Sequence, residues 1–135
     1  MSWATIRTGM ETRLATISGL VAHPMMRETL PDKNIAVVLP GEPLIDAAGH
    51  GPYYWINVRV VVRVARATAE DAQAALDAYV WPSGANSIIA AVDADPTLAG
   101  TVDPVQFQRV ANYGPSEGEQ GKWQADLLFR MQGGA

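Results

Sequence analysis

The residues able to do chemistry are few, and they stand apart. Histidine occurs twice, at His23 before Pro24 and at His50 between Gly49 and Gly51. A metal held by two histidines needs carboxylates spaced beside them, and none has that spacing, so both read as turn or surface histidines. Ser83-Gly84 and Ser116 lack the strand–turn–helix setting that exposes a nucleophilic serine. No helix start follows Gly49-His50-Gly51, so it offers no row of N–H groups to a phosphate. Asp93, Asp95 and Asp103 are the nearest thing to paired catalytic carboxylates, but they fall at helix and turn boundaries, where aspartate commonly caps and turns. Cysteine is absent. That removes a thiolate metal site, a cysteine nucleophile and a disulfide framework, and it fits a cytosolic product. No catalytic, cofactor-binding or metal-binding set can be named, and the expectation is that the chain is not an enzyme.

What remains are charges on a strand. Tyr53 to Ala65 is the longest β-signal. Tyr54, Ile56, Val58, Val60, Val62 and Val64 alternate with a set that includes Asn57, Arg59 and Arg63. A period of two places the first set on a core and leaves the second on the other face. That second face is either wetted by solvent or covered by a partner. Its arginines have two readings of equal weight. They pair with Asp126 on a neighbouring strand, or they lie at a subunit interface, where arginine is enriched.

The elements that must hold this strand follow from the remaining patterns. Ile6, Met10, Leu14 and Ile17 recur at helical spacing, with Ser2 as a cap and Ser18-Gly19 as the end. Leu20 to Ala22 reads as a short strand. Met25 to Lys33 is ambiguous. Ile35-Ala36-Val37-Val38-Leu39 reads as a strand buried on both faces. The spacing of glycine and proline predicts a loop over 41–52. Thr68 caps a second helix whose first turn holds Glu70 and Asp71, favourable at the positive end of a helix dipole. Ala72, Ala75, Leu76 and Tyr79 form its buried stripe, and Trp81-Pro82 stops it. A third helix follows Ser83–Ser87, carries Ile88, Ile89 and Val92, and closes at Asp95-Pro96. The last two strands alternate. Val105, Phe107, Ala111 and Tyr113 share one face, with Arg109 breaking the pattern, and Trp123, Ala125, Leu127, Phe129 and Met131 share another. Between them a glycine-rich acidic loop over 114–121 carries Glu117 and Glu119. Gly133 to Ala135 reads as a frayed tail. Trp55, Trp81 and Trp123 are expected in the core or at its edge.

These elements add up to an α+β domain spanning 1–135: a mostly antiparallel sheet of about four to five strands with helices packed on one face. The second sheet face would carry Asn57, Arg59, Arg63, Gln124, Asp126 and Arg130. With 48% hydrophobic residues over 135 positions, the chain can bury a real core. The net charge of −4 argues against a broad basic surface that grips nucleic acid. The N-terminus lacks a basic segment followed by an apolar run, so no signal peptide is expected. No stretch approaches the roughly 20 apolar residues that span a bilayer.

Several phrases together resemble one family. They are Leu14-Ala15-Thr16-Ile17-Ser18-Gly19-Leu20, Ala36-Val37-Val38-Leu39-Pro40, the strand Ile56 to Val64 and the helix Ala69 to Asp77. The most recognisable are Ser87-Ile88-Ile89-Ala90-Ala91-Val92-Asp93-Ala94-Asp95-Pro96-Thr97-Leu98 and Val110-Ala111-Asn112-Tyr113-Gly114. Over nearly its whole length the chain resembles the tail terminator (tail-completion, or minor tail) proteins of long-tailed phages with non-contractile tails. The resemblance implies a structural virion protein, assembled in the host cytoplasm. Such a protein forms a ring, usually a homo-hexamer, on the last ring of tail tube protein, stops polymerisation and presents the surface that docks the head–tail connector. DNA would pass through the bore without specific binding, and no membrane is involved. Six copies at −4 would carry about −24, suited to a bore that repels DNA. Arg59 and Arg63 would form one subunit or tube contact, and Glu70, Asp71, Glu117 and Glu119 the other. The nearest alternative is another neck component, a connector or stopper. A cellular α+β module binding a small ligand is more distant.

Overall fold

The alternating segment Tyr54–Ala65 forms β3, the middle strand of a five-stranded sheet. In this computed structural model residues 2–23, 34–47, 53–115 and 122–133 are described. The other strands are β1 (Leu20–His23), β2 (Asn34–Ala47), β4 (Gln106–Pro115) and β5 (Lys122–Gly133), in the order β1-β2-β3-β5-β4. β1 pairs parallel with β2, and every other pair is antiparallel. Helices α1 (Trp3–Leu14), α2 (Ala69–Val80) and α3 (Ile88–Asp93) pack on one face, giving the expected α+β architecture.

Each helix begins at a hydroxyl. Ser2, Thr68 and Ser87 accept from the backbone N–H three residues on, at 3.2, 3.2 and 3.1 Å, which satisfies a donor that no helical turn reaches. The core between layers takes Ile56, Val58, Val60, Val62 and Val64 from β3 and Ala125, Leu127, Phe129 and Met131 from β5. Against them pack Ile6, Met10 and Leu14 of α1, Ala72, Leu76 and Tyr79 of α2, and Ile88, Ile89 and Val92 of α3.

Five expectations need correction. The loop expected over 41–52 is strand as far as Ala47. A register shift between Pro40 and Ile45 absorbs the proline and glycine there, and bulges are where strands tolerate both. Gly41 is required at this point, because a Cβ would lie 2.6 Å from the Cβ of Asn57. Asn57 Nδ2 donates to the carbonyl of Pro43 at 2.9 Å and ties the irregular stretch down. α1 ends at Leu14 instead of running to Ser18. The hydroxyl of Thr16 donates to the carbonyl of Arg13, competing with the helical pattern, yet Ile17 stays buried in the turn.

In β4, register shifts between Phe107 and Arg109 and between Ala111 and Gly114 re-aim the side chains. Phe107 and Val110 pack on the core and Tyr113 meets α2, whereas Ala111 pairs with Asp126 of the outer face. Gly133 is a buried strand residue beside Tyr54 and not a tail. Trp55 and Trp123 are half-buried as expected, but Trp81 is 65% exposed. α2 stops at Val80 and Trp81 turns to extended backbone, which carries its ring off the buried stripe. Residues 24–33, 48–52 and 116–121 lie outside the described residues, and with them the ambiguous segment after His23, His50, and most of the 114–121 loop.

Candidate interaction surface

Strand alternation gives the sheet a second face, turned away from the helices. Register fixes its composition. Arg63 stands opposite Gln124, Val61 opposite Asp126, Arg59 opposite Leu128 and Asn57 opposite Arg130. β4 adds Arg109 opposite Leu128, and β2 adds Ile35, Val37 and Leu39 opposite Arg63, Val61 and Arg59. The face is therefore graded. Towards β2 it is apolar, with Ile35, Val37 and Val61 buried. Towards β5 and β4 it is polar and open.

Four arginines occupy the open side, and Asp126 is the sole acid in β3, β4 and β5. Asp126 is only 6% exposed. It accepts from Asn112 Nδ2 at 2.8 Å and meets Arg59 Nη1 at 3.8 Å. Asn112 reaches it from a left-handed backbone position, φ 53, at the second bulge of β4, a conformation asparagine tolerates better than most residues. Arg63 Nε donates to Gln124 Oε1 at 3.0 Å. Arg130 lies over the Trp55 ring, 4.1 Å from its centroid, a cation–π contact. The set is loosely satisfied. The ion pair of Arg59 is long, its side chain is 41% exposed, and the Nε atoms of Arg59 and Arg130 have no acceptor. Among the described residues Arg109 has no hydrogen-bond or ionic partner. A half-exposed pair of this length contributes about 0–1 kcal/mol, so the pairing of Arg59 with Asp126 does little to hold the fold.

Of the two readings of Arg59 and Arg63, pairing with Asp126 holds for Arg59 alone, since Arg63 turns to Gln124. Glu70 and Asp71 sit exposed in the first turn of α2, on the helix layer. The fold thus separates them from the arginines by the thickness of the sheet. Glu117 and Glu119 lie outside the described residues. Sequence reasoning missed Arg109 and Asn112 as members of the outer face. The signal for Arg109 was present, as the residue that broke the alternation of β4.

The helix layer is bound by polar locks. Asn34 Nδ2 donates to the Tyr79 hydroxyl at 2.6 Å, and Arg66 Nη1 donates to Asn34 Oδ1 at 2.8 Å. Burial raises the Tyr79 hydroxyl above its ordinary value, against the opposing effects of Asn34 and Arg66. Tyr113 donates to Asp77 of α2 and is also raised, by burial first and then by that acceptor and its charge. Two clefts flank the layer. One of about 100 Å³ lies among Trp3, Ile6, Leu44, Ile45, Tyr54 and Ile56, and an open one of about 390 Å³ lies beside Trp81 and Asn86. Neither gathers titratable groups as an active site would. Among the described residues no three His, Cys, Asp or Glu side chains cluster to hold a metal, and no helix is long and apolar enough to cross a membrane. A scan against protein-family models gives no match, and neither does a search of curated proteins.

Proposed function

We propose that the chain is a structural ring-forming protein of the phage tail terminator type, which caps the finished tail tube and offers the head connector its docking surface. One observation carries the reading: the outer sheet face is open and basic, while exposed acids stand on other parts of the same molecule. That face bears four arginines against one acid, whereas Glu42 and Asp46 are exposed at the end of β2 and Glu70, Asp71 and Asp93 on the helix layer. A closed ring is built from head-to-tail contacts, and each subunit then needs two different complementary patches. The family phrases lie on the elements that build both layers. The reading places the protein in the tail or neck of a virion, with tail tube protein, connector or stopper, and further copies of itself as partners. No chemistry is required of it.

The direct test adds the purified protein to its own growing tail tubes and images the products. Tubes arrested with a ring at one end support a terminator. Tubes that lengthen unchanged, with the protein bound to connector or capsid instead, move it to the head side of the neck. Binding to neither, together with a melting shift on adding a small ligand, would favour a ligand-binding module. Arg59→Glu with Arg63→Glu should abolish capping, and intact capping would remove the outer face from the ring contact.

A further inference from the structure

Beyond the ring itself, the outer face requires a particular occupant. We infer that it receives the distal β2–β3 ribbon of a second copy, residues 42–47 and 53–55. The inference rests on the ring reading and names its contact. Along β2, burial gives way to exposure at this end, where Glu42, Asp46 and Ala47 are exposed. Ile45 is 58% exposed and Tyr53 47%. Isolated apolar residues at a surface mean little, but here they share a two-stranded ribbon with two acids. Positions 41–47 and 53–58 contain no basic residue. Neither acid has an ionic partner among the described residues. Asp46 stands opposite Trp55 on the outer side of the ribbon and Ile45 opposite Ile56 on its helix side, so the ribbon end as a whole brings acidic and apolar groups, where the open half of the outer face, around Leu128, offers basic and apolar ones.

Glu70 and Asp71 make a weaker match, although they too are acidic. They already favour the amino end of α2, and they are flanked by small or polar residues that would bring no apolar surface into a contact. Interfaces need a desolvated apolar centre as well as complementary charge. The ribbon supplies both. It is also continuous with the sheet of its own molecule, so it cannot fold back onto that sheet's outer face. The contact must join two copies, and it is heterologous, with ribbon on one side and face on the other.

The absence of cysteine from the chain permits a background-free test. Ala47→Cys, at the ribbon, and Gln106→Cys, at the face beside Arg130, are both exposed positions. The two single-cysteine proteins are mixed at high concentration with a short bis-maleimide, and again on capped tubes if capping is seen. The expected product is the mixed adduct, well in excess of either self-adduct. Adding Glu42→Lys and Asp46→Lys to the ribbon partner should cut its yield about tenfold or more. Arg59→Glu with Arg109→Glu on the other partner should then restore it. Absence of the mixed adduct in both settings overturns the inference, as does a yield indifferent to the charge reversals. Failure of this contact is distinct from failure of the ring reading: a protein that caps tubes without the 47–106 adduct loses only the contact, and one that gives the adduct without capping loses only the terminator role.

Discussion

Leu127 and Leu128 are neighbours on β5 and belong to different worlds. Leu127 faces the helices and is fully buried in the core. Leu128 faces outward between Arg59 and Arg109 and is half-buried. The same contrast runs along β3, where Val60 is sealed and Arg59 is not. One face of the sheet is closed by complementary apolar shapes, and its residues are accounted for by stability alone. The other leaves donors without acceptors on its open side. A side chain that contributes little to folding is free to be chosen for something else, and this is the physical reason to look for partners on the outer face.

The largest effect that sharpens this contrast comes from the leucine pair itself. Leu127→Ala removes buried methyl groups and leaves a cavity, at a cost of about 2–5 kcal/mol. Leu128→Ala should cost less than half of that, since part of the side chain already meets water. Urea unfolding at constant slope measures both, and equal costs would show that the outer face is as much core as the inner one. Gly41→Ala comes next. The added Cβ would be 2.6 Å from that of Asn57, and relieving such a clash costs about 1–3 kcal/mol. Its expected signature is a lowered unfolding midpoint together with a disturbed distal ribbon, visible as faster amide exchange at 42–47.

The pH dependence belongs to the helix side. Tyr79 and Tyr113 both have hydroxyls raised above the ordinary 10.0. The folded state therefore holds these protons more tightly than the unfolded chain does. The stability they contribute is fully present below the unfolded value and is lost as pH rises through the raised folded values. Unfolding midpoints followed upward from about pH 9 should fall, and Tyr113→Phe should flatten part of that fall. A fall that Tyr113→Phe leaves unchanged would mean that the burial of Tyr113 and its bond to Asp77 do not hold in solution.

These elements also show how far a sequence can be read. The even positions of β3 and the odd positions of β5 were legible because a period of two is a property of the strand itself. The helix caps at Ser2, Thr68 and Ser87 were legible for the same local reason. What failed was non-local. Gly41 and Pro43 look like loop residues until Asn57 of the next strand is seen to hold them. Ala111 and Tyr113 share a parity, and only the bulge at Asn112 puts them on opposite faces. The pairing of Arg59 with Asp126 was legible as one of two readings, whereas the pairing of Asp126 with Asn112 depends on that same bulge. The outer face as a chemical unit needed the strand order, because Arg109 and Arg59 meet only through β5.

Smaller effects separate the two layers further. Thr68→Ala should cost about 1 kcal/mol, because the N–H of Asp71 loses its acceptor, and it should leave association between copies unchanged. Arg109→Ala is the mildest substitution for the fold. The side chain is exposed and lies on an edge strand without a partner among the described residues, so its removal should change stability by no more than about 0.5 kcal/mol. If the outer face is a docking surface, the same substitution should weaken association between copies about fivefold, in line with loss of an arginine at an interface rim. Sedimentation across a concentration series reads that change while the unfolding midpoint stays fixed. A variant that loses stability instead would place Arg109 with the residues that build the sheet. A variant that loses neither would confine the recognition chemistry to Arg59, Arg63 and Arg130, on the two central strands.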